Sequence, residues 1–148
     1  MRKFRFNLDK VLELKIYHER QAELKLGEAT GKCNALNRQI EGKNLEKREA
    51  FSNRRPDGND LGSFFYIEFY TQRMDRKIEQ LKDELRHAEK ERLQAQQVFM
   101  EASKKRKILE SLKDRMRRNY YRDQKKLEQK VLDEISSAMY IRTLEDAV

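Results

Sequence analysis

The residues that break helices in this 148-residue chain are concentrated in one short run, and this constrains the fold more than any other feature. The only proline, Pro56, opens the run 56–62, which also contains two of the five glycines and is the one cluster of turn residues. Elsewhere, apolar residues recur at helical spacing. The distribution predicts two long helices joined by one turn, and it argues against a globular core with many connections.

The composition agrees with long helices. Charged residues make up 41% of the chain and hydrophobic residues only 37%, which is too little for an ordinary globular core. Seven phenylalanines, six tyrosines and regularly spaced aliphatic residues distinguish the chain from disordered tracts. We expect no membrane insertion and no secretory signal, because no apolar run approaches the roughly 20 residues of a membrane span. The lone cysteine, Cys33, suits a reducing cytoplasm.

A heptad pattern of apolar residues follows both predicted helices. Steps of four and three residues from Leu8 to Ala50 meet apolar residues at nine of thirteen positions. The same steps from Ile67 to Leu109 meet them at ten of thirteen. This pattern, which we call the seam, is typical of coiled-coil helices and predicts that each helix buries one narrow face.

Two such helices with one short turn between them should fold back on each other. If the turn centres near Asn59, facing residues have numbers that sum to about 119. Leu36 should then face Leu81 and Leu85, which also lie on the seam. The predicted fold class is therefore all-α: two long helices in an antiparallel coiled-coil hairpin, forming a single domain over 1–148.

The predicted helices are unequal in length. The pattern places the first helix at 7–53, the turn at 54–63 and the second helix at 64–146. Past Leu112 the second helix has no predicted partner, and it should protrude as a C-terminal helix. An apolar stripe without an internal partner is a candidate binding surface. The stripe comprises Leu112, Met116, Tyr120, Leu127, Val131, Ile135 and Ala138.

Charge is unevenly distributed along the chain. Residues 1–56 carry a net charge of +6, residues 104–126 a net charge of +8, and residues 127–148 a net charge of −3. We call residues 104–126 the basic belt. It is either an electrostatic surface for an acidic protein or polyanion, or simply the solvated face of a coiled coil.

The sequence offers no catalytic chemistry. His18 and His87 are not matched by a cysteine or carboxylate constellation of the kind that forms a metal site or a catalytic triad. Cys33 lies on the seam, where a small buried residue is expected rather than a nucleophile. No glycine-rich phosphate loop is present. We therefore expect no catalytic residue, no metal and no cofactor, and predict that the chain is not an enzyme.

Three motifs are similar to those of a known family. They are Phe4-x-Phe6-x-Leu8-x-x-Val11-Leu12, Tyr70-x-x-x-Met74-x-x-x-Ile78-x-Gln80 and, most specifically, Glu128-Gln129-Lys130-Val131-Leu132-Asp133-Glu134. They resemble the FliJ family of flagellar type III export proteins, and the resemblance covers nearly the whole chain. The length, the basic charge and the single central turn also agree with that family.

The resemblance implies a non-enzymatic stalk that resembles the gamma subunit of rotary ATPases. Such a stalk binds the hexameric flagellar export ATPase through the end where the termini meet, promotes assembly of its ring and connects it to the membrane export gate protein. It also implies a role as export chaperone or escort of export chaperones. The implied location is cytoplasmic, peripheral at the membrane of the flagellar base.

The resemblance also implies two sets of binding residues. The gate contact of the family falls here on Tyr70, Met74, Lys77 and Leu81, although Lys77 replaces a small apolar residue and Met74 and Leu81 also lie on the seam. Packing within the hairpin is the alternative for that set. The expected ATPase contact comprises Leu112, Met116, Arg117, Arg118, Tyr120, Leu127, Val131, Leu132 and Ile135.

Two other classes of function remain open at the level of the sequence. The chain is alternatively a generic structural coiled-coil adaptor that dimerises by pairing its C-terminal overhangs. A nucleic-acid-binding protein would use the basic belt on phosphates, but aromatic residues for base stacking are few there and acidic residues are mixed throughout. We therefore expect no nucleic-acid partner.

Overall fold

The computed structural model describes residues 3–53 and 61–148. It contains α1, Asp9–Ser52, of 44 residues, and α2, Leu61–Asp146, of 86 residues. The two helices pack against each other, and the described residues contain no strand. The all-α hairpin predicted from the sequence is thereby confirmed. Most of the predicted turn, residues 54–60, lies outside the described residues.

The helix ends differ slightly from those predicted. The second helix begins at Leu61, three residues earlier than the sequence pattern indicated. Gly62 suggested turn there, but a glycine inside a helix costs only about 1 kcal/mol and the helix accommodates it. The first helix begins at Asp9, whose N–H donates to the carbonyl oxygen of Phe6 at 3.2 Å. A carboxylate in the first turn also interacts favourably with the helix dipole.

The packing divides the chain into two compact units, so the predicted single domain over 1–148 stays a prediction. The central unit is His18–Ala102, and the terminal unit comprises the described residues of Met1–Tyr17 together with Ser103–Val148. Each unit contains a segment of both helices. The seam forms the interior of each unit.

The core of the central unit is built from small and medium-sized side chains. Cys33, Leu36 and Ala88 form its buried cluster, and Leu81 and Leu85 pack against that cluster. Leu36 and the two leucines that it was predicted to face therefore lie in one packed group. Ala88 is only 1% exposed, and a residue this small lets the two helices approach closely at that point.

Ion pairs of Lys47 and Lys32 join the described parts of the two helices in the central unit. Lys47 Nζ lies 2.6 Å from Asp75 Oδ1, and Lys32 Nζ lies 3.4 Å from Glu91 Oε2. The numbers of these pairs sum to 122 and 123, a few residues above the sum of about 119 predicted for directly facing residues.

In the terminal unit, the residues that precede α1 also pack against α2. Phe6 is 5% exposed, and the ring of Phe4 lies 5.7 Å from the ring of Tyr120. Lys113 Nζ lies 2.7 Å from Asp9 Oδ1 and 5.9 Å from the centre of the Phe6 ring. The N-terminal residues therefore cover α2 as far as Tyr120.

Candidate functional site

The last part of α2 has no partner among the described residues of the terminal unit. Every residue from Lys125 to Val148 is exposed, whereas Gln124 and the seam positions before it are at least partly covered. We call residues 125–148 the C-terminal segment. Its helical part, residues 125–146, is 22 residues long, or about 33 Å at 1.5 Å per residue.

Apolar side chains line one face of the C-terminal segment. Leu127, Val131 and Ile135 are each four residues apart, so they lie one above the other on the helix, and they are 56%, 53% and 46% exposed. Leu132 and Met139 lie beside this row on the helix and widen the face beyond the narrow seam of a coiled coil. Within the C-terminal segment, the apolar stripe therefore comprises Leu127, Val131, Leu132, Ile135, Ala138 and Met139, and the name is used below for this set.

The predicted start of the overhang is wrong. The sequence pattern placed it after Leu112, but Leu112 and Tyr120 are half-buried and Lys113 is paired with Asp9. The cause is the packing of Phe4 and Phe6, which lie before α1 and show no helical periodicity that would have revealed it. Of the predicted ATPase-contact residues, Leu127, Val131, Leu132 and Ile135 lie in the unpartnered segment.

The other predicted contact residues lie on the basic belt. Met116 is 41% exposed, and both arginines that follow it are exposed. Arg117 Nη2 lies 3.1 Å from Asp114 Oδ1, and Arg118 Nε donates to the carbonyl oxygen of Asp114 at 3.4 Å. These pairs hold both guanidinium groups at the surface of α2.

A shallow groove on the belt collects basic side chains. Four of the eight residues that line it are basic, and none is acidic, so the groove suits an acidic partner. The lining residues are Lys107, Ile108, Ser111, Leu112, Arg115, Arg118, Asn119 and Arg122.

The four predicted gate residues differ in their exposure. Met74 is buried at 6% exposure, and Leu81 packs against the core cluster of the central unit. Tyr70 and Lys77 are half-buried, and Lys77 and Leu81 share the lining of a groove with residues of α1. Met74 is therefore used in packing within the hairpin. Tyr70, Lys77 and Leu81 keep solvent-accessible surface that a partner could contact.

A second exposed apolar surface was missed by the sequence reasoning. Leu61, Phe65 and Phe69 are spaced by four residues at the start of α2 and are 74%, 55% and 72% exposed. Tyr66 beside them is 72% exposed. The spacing of four residues is visible in the sequence. However, Gly62 indicates a turn and Ile67 indicates a buried seam position, so the pattern alone does not predict an exposed surface here.

The structure describes the surroundings of both histidines and of the cysteine. His18 and His87 are both exposed, and Cys33 is buried in the central core. Within residues 3–53 and 61–148, no group of three histidine, cysteine, aspartate or glutamate side chains is placed to hold a metal ion. No helix in these same ranges has the length and apolar character of a membrane span.

The two-helix architecture and the three motifs can be compared with known families. The sequence profile of the flagellar FliJ protein family matches residues 4–145, nearly the whole chain. The chain belongs to the FliJ family. A comparison with curated proteins and another with solved structures found no match.

Membership in the FliJ family confirms the resemblance seen in the motifs, all of which lie within the matched range. It makes the chain a flagellar protein related to protein export, associated with the export apparatus at the base of the flagellum. FliJ-family proteins are structural components of export and are not known enzymes. The helical coiled-coil character of the family agrees with α1 and α2.

Proposed function

We propose that this FliJ-family chain is the stalk of the flagellar export apparatus and that its C-terminal segment binds the hexameric export ATPase and promotes assembly of the ring. The observation that carries the proposal is the apolar stripe on the unpartnered end of α2. A single helix that extends beyond its hairpin partner has the form needed to enter the central opening of a ring.

The energetics favour a protein partner for this segment. Burial of Leu127, Val131 and Ile135 would contribute about 1.5–3 kcal/mol for each side chain. Exposed ion pairs contribute only about 0–1 kcal/mol each. The stripe therefore supplies most of the affinity, and the basic belt supplies orientation and association rate towards acidic loops of the ring.

The proposal extends to the remaining partners implied by the family. The exposed parts of Tyr70, Lys77 and Leu81 form the contact with the membrane export gate protein, and Met74 supports them from inside the hairpin. Export chaperones bind the same protein, which acts as their escort in the cytoplasm. A stalk with one end on the ATPase and another surface on the gate connects the two.

A pull-down with the purified export ATPase tests the proposal. The variant Val131→Ser with Ile135→Ser removes the centre of the stripe, and the full chain carrying it should lose most of its binding. Leu93→Ser with Val98→Ser is the matched control, because these residues are exposed to a similar degree, 51% and 56%, in the central unit. Equal binding by the two variants would contradict the proposal.

A further inference from the structure

We propose that two copies of the free chain pair with each other in antiparallel orientation through their C-terminal segments. When no ATPase ring is present, the apolar stripe of one copy therefore binds the same stripe of a second copy. This inference goes beyond the proposed function and does not depend on it. It rests on the exposure and charge of the terminal unit.

The stripe is suited to a copy of itself. A two-fold axis places the same residues of both copies opposite each other, so one apolar face meets an apolar face of equal length. Val131 and Ile135 lie near the middle of the C-terminal segment, where pairing about such an axis would cover them on both copies. Since the helix is already formed, pairing requires no folding of the segment.

Charge selects the antiparallel orientation. The C-terminal segment follows directly on the basic belt, so a net charge of +8 over residues 104–126 is followed by −3 over residues 127–148. Parallel pairing would set like charges opposite each other over the whole length, which is unfavourable. Antiparallel pairing directs the acidic end of each copy, with Glu145 and Asp146, towards the basic belt of the other.

The charges that would meet are available for new pairs. Within the described residues, no acidic side chain of residues 127–148 forms an ion pair, and Arg115, Lys125 and Lys126 form none either. The acidic side chains are Glu128, Asp133, Glu134, Glu145 and Asp146. Arg117 and Arg118 of the belt contact only Asp114, one turn away on the same helix, so within the described residues neither half of the electrostatic contact is paired with another part of the chain.

Pairing would have a regulatory consequence, and this consequence alone rests on the proposed function. The paired form covers the stripe that the ATPase ring is proposed to bind, so the ring and the second copy compete for one surface. Free chains would be protected from nonspecific association until they meet the ring. The apolar patch would otherwise stay exposed in solution.

Sedimentation equilibrium of the full chain, without ATPase, tests the pairing. We expect a concentration-dependent monomer–dimer equilibrium that shifts towards monomer as salt is raised, because the charge contact is exposed. Glu145→Lys with Asp146→Lys should raise the dimer dissociation constant about tenfold, as should Arg117→Glu with Arg118→Glu. Combining all four changes should restore dimerisation, since each charge then meets its opposite across the two-fold axis.

The controls separate this inference from the proposed function. Arg73→Glu with Arg76→Glu changes the net charge by the same amount in the central unit and should leave the dimer intact. The fourfold charge swap should restore dimerisation without restoring ATPase binding. A chain that is monomeric at all concentrations, or a swap that fails to restore the dimer, would overturn the pairing and leave the ATPase proposal standing.

Discussion

Lys113 and Asp9 are 104 residues apart in the sequence, yet Lys113 Nζ lies 2.7 Å from Asp9 Oδ1 in the terminal unit. The pair joins the first turn of α1 to α2 beside the buried ring of Phe6. Both side chains are more than a third exposed, at 36% and 48%, so solvent screens their attraction. The apolar contact at Phe6 should therefore stabilise this junction more than the ion pair does.

Substitution of Phe6 tests that ranking. Phe6→Ala should reduce the free energy of unfolding by about 3 kcal/mol, because the ring is almost fully buried. A double-mutant cycle of Asp9→Asn and Lys113→Met should give a coupling below about 1 kcal/mol. Denaturant unfolding of the full chain measures both quantities. A coupling larger than the effect of Phe6→Ala would reverse the ranking.

Replacement of a buried alanine by a larger residue should show how tightly the central core is packed. Ala88→Leu should lower the free energy of unfolding by about 1–3 kcal/mol, since Ala88 is 1% exposed and the added side chain has no space. Ala35→Leu inserts the same side chain at an exposed position of α1 in the same unit and should leave stability nearly unchanged. Thermal unfolding compares the two variants, and similar midpoints would contradict the described packing.

The gate contact can be separated from hairpin packing. Tyr70→Ala with Lys77→Ala should weaken binding to the export gate protein while the hairpin stays folded. Met74→Ala should instead lower the free energy of unfolding by about 2–5 kcal/mol, because Met74 is buried. Circular dichroism melting and a gate-binding assay distinguish the effects. If the first variant bound the gate like the parent chain, Tyr70 and Lys77 would have no part in that contact.

The basic belt should act through charge. Arg117→Glu with Arg118→Glu should slow association with the export ATPase, and the difference from the parent chain should shrink as salt is raised. Stopped-flow association at several salt concentrations measures the effect. An effect that is independent of salt would mean that the two arginines act by specific packing instead.

Much of the fold could be predicted from periodicity. Every position of the second seam, from Ile67 to Leu109, is buried or half-buried, and on the first seam only Leu8 is exposed. Leu8 is exposed, unlike the rest of the first seam, because it precedes Asp9, where α1 begins. The helical spacing does not yet apply at that position. A narrow apolar stripe repeated over many heptads specifies its own pairing, which explains this success.

The predictions that failed concern features without periodicity. Phe4 and Phe6 lie outside the helix, so their packing on α2 and the later start of the overhang were not visible in the pattern. The apolar stripe at Leu127, Val131 and Ile135 was recognised from the sequence, but an exposed stripe does not identify its occupant. The ATPase ring and a second copy of the chain are therefore proposals for that occupant.

The central claim is that the C-terminal segment acts on the export ATPase, and deletion of residues 127–148 tests it most directly. These residues are all exposed, so their removal uncovers no hairpin core and the melting of α1 against α2 should be almost unchanged. ATPase activity should be measured with the full chain and with the truncated chain at equal concentrations. The account predicts that the truncated chain no longer stimulates the ATPase or its ring assembly. Stimulation equal to that of the full chain would contradict it.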